Sequence, residues 1–366
     1  MSGDEPEFVF SKGRDLDEIA AALPGVIGRF VDGASDIRVG SLTLPVGAGR
    51  SNETILFEAT WTRRGRPETG EWVLRIAPDV IQLFLDPDVR MQFDLLQALH
   101  EHGSVKVPRM LLFEEDATLF GQPFFIMERI RGRVPVSSPV YSTAGWLYDA
   151  APADRRIVWD TAIDQLVRIH NVPLDAVPCL PAIPDGVADG LDAQLEYWRR
   201  SMTFSAMGPA PDLFHVIADW LDANRPTTHV DGLSWGDSRI GNMMFGDDFR
   251  LRAVLDWEQA SRAGGLRDLG WWLFFDDFHS TDQGVARLDG LGTRKETIDY
   301  WQEHVGRPAT DLTWYEVFAG FSVVQLWLRN HLLLGMDAEQ AMTTNGFVPR
   351  TLELMGMSAQ AGGVPR

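Results

Sequence analysis

One cysteine, Cys179, is all that 366 residues contain. A lone thiol excludes an internal disulfide framework and any multi-cysteine zinc or iron–sulfur centre, and it fits a reducing compartment. Basic residues are scarce as well: 33 Lys+Arg against 52 Asp+Glu leave a net charge of −19 at pH 7. Without clustered Lys and Arg there is no footprint for nucleic acid or for an anionic membrane surface, so neither is expected as a partner. Long hydrophobic runs are missing too. The most apolar late stretch, Val317 to Leu328, is cut by Gln325 and followed at once by Arg329; it is too short to span a bilayer and predicts a buried helix. The opening MSGDEPEFVF has neither a basic n-region nor an apolar h-region, so no signal peptide is expected and the location reads as cytoplasmic. No internal repeat or low-complexity tract is visible, and nothing in the sequence reports the oligomeric state.

What is present is an ordinary globular composition, 45% hydrophobic and 23% charged. The length exceeds what one hydrophobic core usually serves, which predicts two lobes. Residues 15–33 read as a short amphipathic helix interrupted near Pro24. From Ile37 to Arg75, β-rich runs alternate with Gly, Pro and Asn clusters, the pattern of an antiparallel sheet. Residues 88–101 place Met91, Leu95, Leu96 and Leu99 at helical spacing. RMLLFEE and PFFIMERI then return to strand character. Residues 1–130 therefore form an α+β lobe of strands around one helix, and RIRGRVPVSSP (129–139) reads as the hinge. Residues 131–366 are mostly helical, with helices expected in ADRRIVWDTAIDQLVRIHNV, DGLDAQLEYWRRSM, PDLFHVIADWLDAN, RKETIDYWQEHV and TWYEVFAGFSVVQLWLRNHLLL. The tail SAQAGGVPR is expected to fray.

Set among these helices is one short β-rich insertion, LSWGDSRIGNMMFGDDFRLRAVLDWE (233–258). A strand from Met243 to Phe245, a Gly246-Asp-Asp turn and a strand from Leu251 to Leu255 predict a hairpin. Closing it brings Asp256 beside the loop that carries Asp237 and Asn242. Two carboxylates and a carboxamide then share a small volume. Crowded carboxylates repel, and hard oxygen ligands of this kind suit Mg²⁺ held together with substrate phosphates.

An Asp, four residues, an Asn, and a second Asp one hairpin later is the arrangement of a kinase catalytic loop and its metal-binding Asp. The wording WGDSRIGN…LDWE, with Arg267-Asp268-Leu269 shortly after, resembles the aminoglycoside phosphotransferase and choline-kinase-like branch of the protein-kinase-like fold, over most of the chain. The resemblance implies a bilobal α+β enzyme that transfers a phosphoryl group from ATP or GTP, with Mg²⁺, to a hydroxyl of a small molecule. It gives Asp237 the catalytic role and gives Asn242 and Asp256 the metal. Gly47, Gly49, Ser51 and Asn52 would cover the phosphates, with Arg75 over the α- and β-phosphates and Gln92 beside it. The backbone at Met127 and Glu128 would meet the base, and Asp268 would brace the loop. Trp235 stands where the family has His before Gly-Asp, Gln92 where a helix Glu is usual, and Arg75 where Lys is common; Arg is not a neutral exchange for Lys at a phosphate.

Two other readings stay open. One is a catalytically silent nucleotide-binding regulatory protein, suggested by Gln92 and Trp235; the other is a metal-dependent hydrolase using the same carboxylates. The substrate is not legible, and ATP is not separable from GTP. Elsewhere the simpler readings hold. His100 and His102 suit a helix C-terminus. His170 is a packed or capping helix residue. Trp301, Trp314 and Trp327 are core, and Cys179 is inert. Asp276 and Asp277 read as a solvated loop, with a cationic substrate as the alternative.

Overall fold

Alternation of inward apolar and outward polar residues sets the sheet. In β2 (Glu53–Arg63) the buried positions are Ile55, Phe57, Ala59 and Trp61, every second residue along the strand. A computed structural model describes residues 14–45, 53–78 and 82–357. Its chain divides into two compact units, Met1–Gln97 with Pro108–Ile130, and Ala98–Val107 with Arg131–Arg366.

The first unit opens with α1 (Leu16–Ile27), capped by the Asp15 carboxylate, which accepts from the Asp17 and Glu18 backbone N–H groups. Pro24 lies inside α1 without breaking it, and the helix stops at Ile27, short of the expected Gly33. β1 (Ala34–Val39), β2, β3 (Arg66–Ile76), β4 (Met110–Glu114) and β5 (Phe124–Glu128) make one antiparallel sheet of order β1-β2-β3-β5-β4. Arg64 and Gly65 both take positive φ between β2 and β3, as a two-residue hairpin loop of this twist demands. One face packs Ile19, Leu23 and Ile27 of α1 on Ile55, Phe57, Trp72 and Leu74. The other packs Val89 and Phe93, on α2 (Val89–His102), against Val73, Phe125 and Met127.

The second unit contains α3 (Trp146–Asp149), α4 (Pro152–His170), α5 (Gly190–Ser205) and α6 (Asp212–Ala223). The hairpin of β6 (Met243–Phe245) and β7 (Leu251–Val254) follows, then α7 (Gly265–Phe278), α8 (Arg294–Val305), α9 (Leu312–Leu333), α10 (Ala338–Thr343) and α11 (Phe347–Leu354). α9 holds the Val317–Leu328 stretch and is apolar on nearly every side, so neighbours must cover it all round. α5, α6, α7, α10 and α11 do so. Gly270 of α7 allows one close approach, where a Cβ would stand 2.4 Å from Tyr315 Cβ.

α7 overturns one expectation. Asp276 and Asp277 are not a solvated loop but lie in the last turn of this buried helix. Asp276 is ion-paired with Arg287 and accepts from the Tyr141 hydroxyl at 3.3 Å. Asp277 meets Arg350 at 2.7 Å, and Arg294 and Arg350 also hold the buried Glu316. Carboxylates in an apolar helix bundle need such partners, because an unpaired buried charge costs several kcal/mol.

Candidate functional site

The hairpin forms with the register needed to gather the motif. Met243 pairs with Val254, and just beyond that pair Leu255 N–H donates to the Asn242 carbonyl at 2.9 Å. Asp256, the next residue, takes a left-handed φ of 55°, a conformation that Asp tolerates better than most side chains. Asn242 Nδ2 donates to the Asp237 carbonyl at 3.1 Å. The indole of Trp235 donates to both the Leu255 and the Asp256 carbonyls, at 2.8 and 3.1 Å. Asp237, Asn242 and Asp256 are thus tied together by the backbones that carry them. Trp235, fully buried, is the tie in the place where a His was expected.

The loop bends at Gly236, where φ is 100° and a Cβ would lie 2.4 Å from the Gln259 carbonyl oxygen. No other residue fits both that torsion and that approach. Asp268, in the first turn of α7 and completely buried, anchors the bend. Its carboxylate accepts from Ser234 Oγ at 2.8 Å, Trp235 N at 2.6 Å and Gly236 N at 2.9 Å, and its backbone carbonyl accepts from Ser238 Oγ at 2.7 Å. His170 Nε2 stands 3.1 Å from Asp268 Oδ2. The Trp301 indole donates to His170 Nδ1 at 2.8 Å. An indole can only donate, so Nδ1 is the acceptor and Nε2 carries the proton given to Asp268. Burial pushes the Asp268 carboxyl up, but the His170 bond, the Arg267 charge and the Gly236 N–H outweigh it and hold it below the ordinary range.

Asp237 is about four-fifths buried. Its Oδ1 accepts from Arg239 Nε at 3.0 Å and from Trp271 Nε1 at 2.9 Å. Arg267, its guanidinium 4.5 Å over the Trp271 ring, donates to the Gly236 carbonyl. Burial brings this guanidinium down to about 10 from 12.5, against the pull of Asp268 and Asp237.

The sequence did not single out Arg239, Trp271 or Arg267, and it read His170 as packing. No local signal marks them, since His170 is 98 positions from the carboxylate it orients. Of the residues expected at the nucleotide, Gly47, Gly49, Ser51 and Asn52 lie outside the described residues. Arg75 sits in β3 opposite Phe125, Gln92 is buried on α2, and Met127 and Glu128 end β5, the first buried and the second exposed. All four belong to the first unit.

Residues 43–304, well over half of the chain, match the model of the phosphotransferase enzyme family. Among curated proteins, the chain is 27% identical over 234 residues to "Probable acyl-CoA dehydrogenase IBR3" of Arabidopsis thaliana, covering 62% of this chain and 27% of that protein. It is 25% identical over 320 residues to acyl-CoA dehydrogenase family member 10 of Mus musculus, covering 85% and 28%. The chain therefore spans less than a third of the length of these relatives. Among solved structures, a protein of Ralstonia eutropha JMP134 with a provisional aminoglycoside phosphotransferase name superposes with a TM-score of 0.65 at 22% identity, over 93% of this chain and 98% of that one. A variant of aminoglycoside phosphotransferase APH(4)-Ia, in a ternary complex with ADP and hygromycin B, gives 0.54 at 15% identity, over 93% and 98%. Both likenesses establish the α+β protein-kinase-like fold. Among the described residues, no helix is long and apolar enough to cross a membrane.

Proposed function

The chain belongs to the phosphotransferase enzyme family, and from that premise we propose that it moves the γ-phosphoryl group of ATP or GTP, with Mg²⁺, onto a hydroxyl of a small molecule. The observation that carries this reading is the binding of Asp237, Asn242 and Asp256 into one locus by the Trp235 and Asn242 hydrogen bonds.

Asp237 is the residue that orients the acceptor hydroxyl and takes its proton. Arg239 and Trp271 both donate to Oδ1, which fixes the carboxylate plane and makes Oδ2 the atom offered to the acceptor. The donor set suits a hard divalent ion: Asp256 supplies a carboxylate, and Asn242, its amide nitrogen committed to the Asp237 carbonyl, supplies its amide oxygen. Mg²⁺ bound there neutralises charge on the phosphates. Arg75, Gln92, Met127 and Glu128, with Gly47, Gly49, Ser51 and Asn52, are assigned to the nucleotide on the family pattern.

The Asp268 anchor supports an active protein over a silent one. Trp235 restores by its indole a tie between the loop and the metal strand, so its departure from the family's His is no mark of lost function. For the acceptor, the neutralisation of Asp276 and Asp277 by Arg287, Arg294 and Arg350 removes the acidic pair that a polycation would have sought. An aminoglycoside is thus one candidate among hydroxyl compounds. Mg·ATP binding measured by calorimetry tests the site. We expect binding that requires Mg²⁺ and weakens at least ~10-fold in Asp256→Asn, in line with the loss of a charged ligand; nucleotide binding indifferent to Mg²⁺ and to that substitution would refute it.

A further inference from the structure

The segment that leads into the Asp237 loop carries a second set of ligand-type side chains that phosphoryl transfer does not use. Asp189, His229 and Asp231 each offer one donor atom, and these three atoms lie within 4.8 Å of one another. The His229 side chain is 4% exposed, and neither ring nitrogen has a hydrogen bond of acceptable geometry. Buried imidazoles are nearly always satisfied, so this one needs an explanation. Its Nε2 stands 3.2 Å from Asp231 Oδ1. Two ligands on a tetrahedral zinc, each about 2.0 Å from the ion, are about 3.3 Å apart. The pair has the spacing of adjacent ligands.

The two carboxylates are held in place from behind. Asp231 Oδ1 accepts from Gly190 N at 2.8 Å. Asp189 accepts from Asp192 N at 2.8 Å as the cap of α5, and both its oxygens take Arg225 at 3.0 Å. Arg225 is shared with Asp192 at 2.8 Å, so it offsets only part of the local negative charge. Outer partners of this kind orient ligating carboxylates; Asp189 Oδ1 is filled by Asp192 N and Arg225, while Asp189 Oδ2 and the Asp231 carboxylate keep a lone pair for a metal. His229 and Asp231 also line a cavity of about 530 Å³, which has room for a water as fourth ligand.

We propose that Asp189, His229 and Asp231 bind one divalent transition-metal ion of the zinc class. The imidazole selects such an ion over Mg²⁺, whose preference is for oxygen. The ion fastens the segment that runs on to Gly232, whose carbonyl accepts from Gly264 N at 3.0 Å, and then directly into the Asp237 loop. Bound metal therefore stabilises the fold next to the catalytic loop.

The test is titration of the metal-stripped full chain with Zn²⁺ against a chromophoric chelator, with Co²⁺ as a spectroscopic probe and thermal unfolding in parallel. One ion per chain, visible d–d bands of low-symmetry Co²⁺ and a raised melting temperature are expected. His229→Asn lowers Zn²⁺ affinity at least ~100-fold, beyond the usual cost of losing an outer partner. Asp231→Asn keeps an oxygen for Gly190 N and so guards against a folding defect; it too loses the ion. Asp256→Asn, in the proposed magnesium site, leaves zinc stoichiometry unchanged. Failure to reach one ion per chain, binding that survives both His229→Asn and Asp231→Asn, or loss of zinc in Asp256→Asn would overturn the proposal.

Discussion

Asp268 is the residue on which the geometry turns. It is a buried carboxylate whose partners are two backbone N–H groups, a hydroxyl, an imidazole and, 3.8 Å away, the Arg267 guanidinium. Asp268→Ala leaves those donors facing a cavity, and breaking a buried network of this kind costs about 3–5 kcal/mol. Urea unfolding of the variant measures that loss; a change under about 1 kcal/mol would mean that the loop is held elsewhere. Asp237 behaves in the opposite way. It is a partly accessible loop side chain with two donors on one oxygen, so Asp237→Ala is expected to unfold with near-native stability while removing general-base assistance, a contribution of typically 10²–10⁴-fold. Melting curves and transfer rates on the same preparations separate the two effects.

Among the elements, α7 links the Asp237 loop to the rest of the second unit, and its end titrates. His279, its C-terminal cap, is buried, donates through Nδ1 to the Phe275 carbonyl at 2.6 Å and stacks on Tyr141. Burial, and then the Arg239 charge, hold its imidazole down to about 4 from an ordinary 6.5. A base depressed in the folded state binds its proton first in the unfolded chain. Stability is therefore full above about pH 6.5 and is lost as pH falls towards 4, at up to about 1.4 kcal/mol per pH unit. Asp276 works the other way, because burial raises its carboxyl. The informative quantity is then the difference in urea-unfolding free energy between wild type and His279→Asn at pH 7 and pH 5. The wild type should lose on the order of 1–2 kcal/mol more than the variant; parallel losses would show that His279 is not the titrating group.

The elements also show what the sequence could and could not disclose. The β-rich run in Glu53–Arg63, the helical spacing of Met91, Leu95, Leu96 and Leu99 and the apolar residues three or four apart in Arg294–Val305 are local signals, and each became the element expected. The hairpin register followed from turn chemistry at Gly246. Asp268 as the brace of that loop came with the family pattern, but its own supports, His170 and Trp301, were not legible, because they meet it only in three dimensions. Asp276 and Asp277 misled for a related reason. Paired acids after two tryptophans look solvated until the arginines that neutralise them, up to 73 residues away, are in place.

For the whole molecule, a net charge of −19 repels anionic acceptors at low salt, so added salt should raise transfer rates on such compounds more than on neutral ones. The matched curated relatives are more than three times as long as the region they share with this chain. Two alternatives, a silent nucleotide binder and a hydrolase, differ from the proposed activity in a single product, a phosphomonoester of the acceptor. The direct measurement is ATP consumption with Mg²⁺ across a panel of chemically diverse hydroxyl compounds, the products identified by ³¹P NMR and Asp237→Ala as the blank. A phosphomonoester from at least one compound is expected with wild type, and a rate at least ~100-fold lower in the variant. Ester formation at equal rates by both proteins, or inorganic phosphate as the sole product throughout, would contradict it.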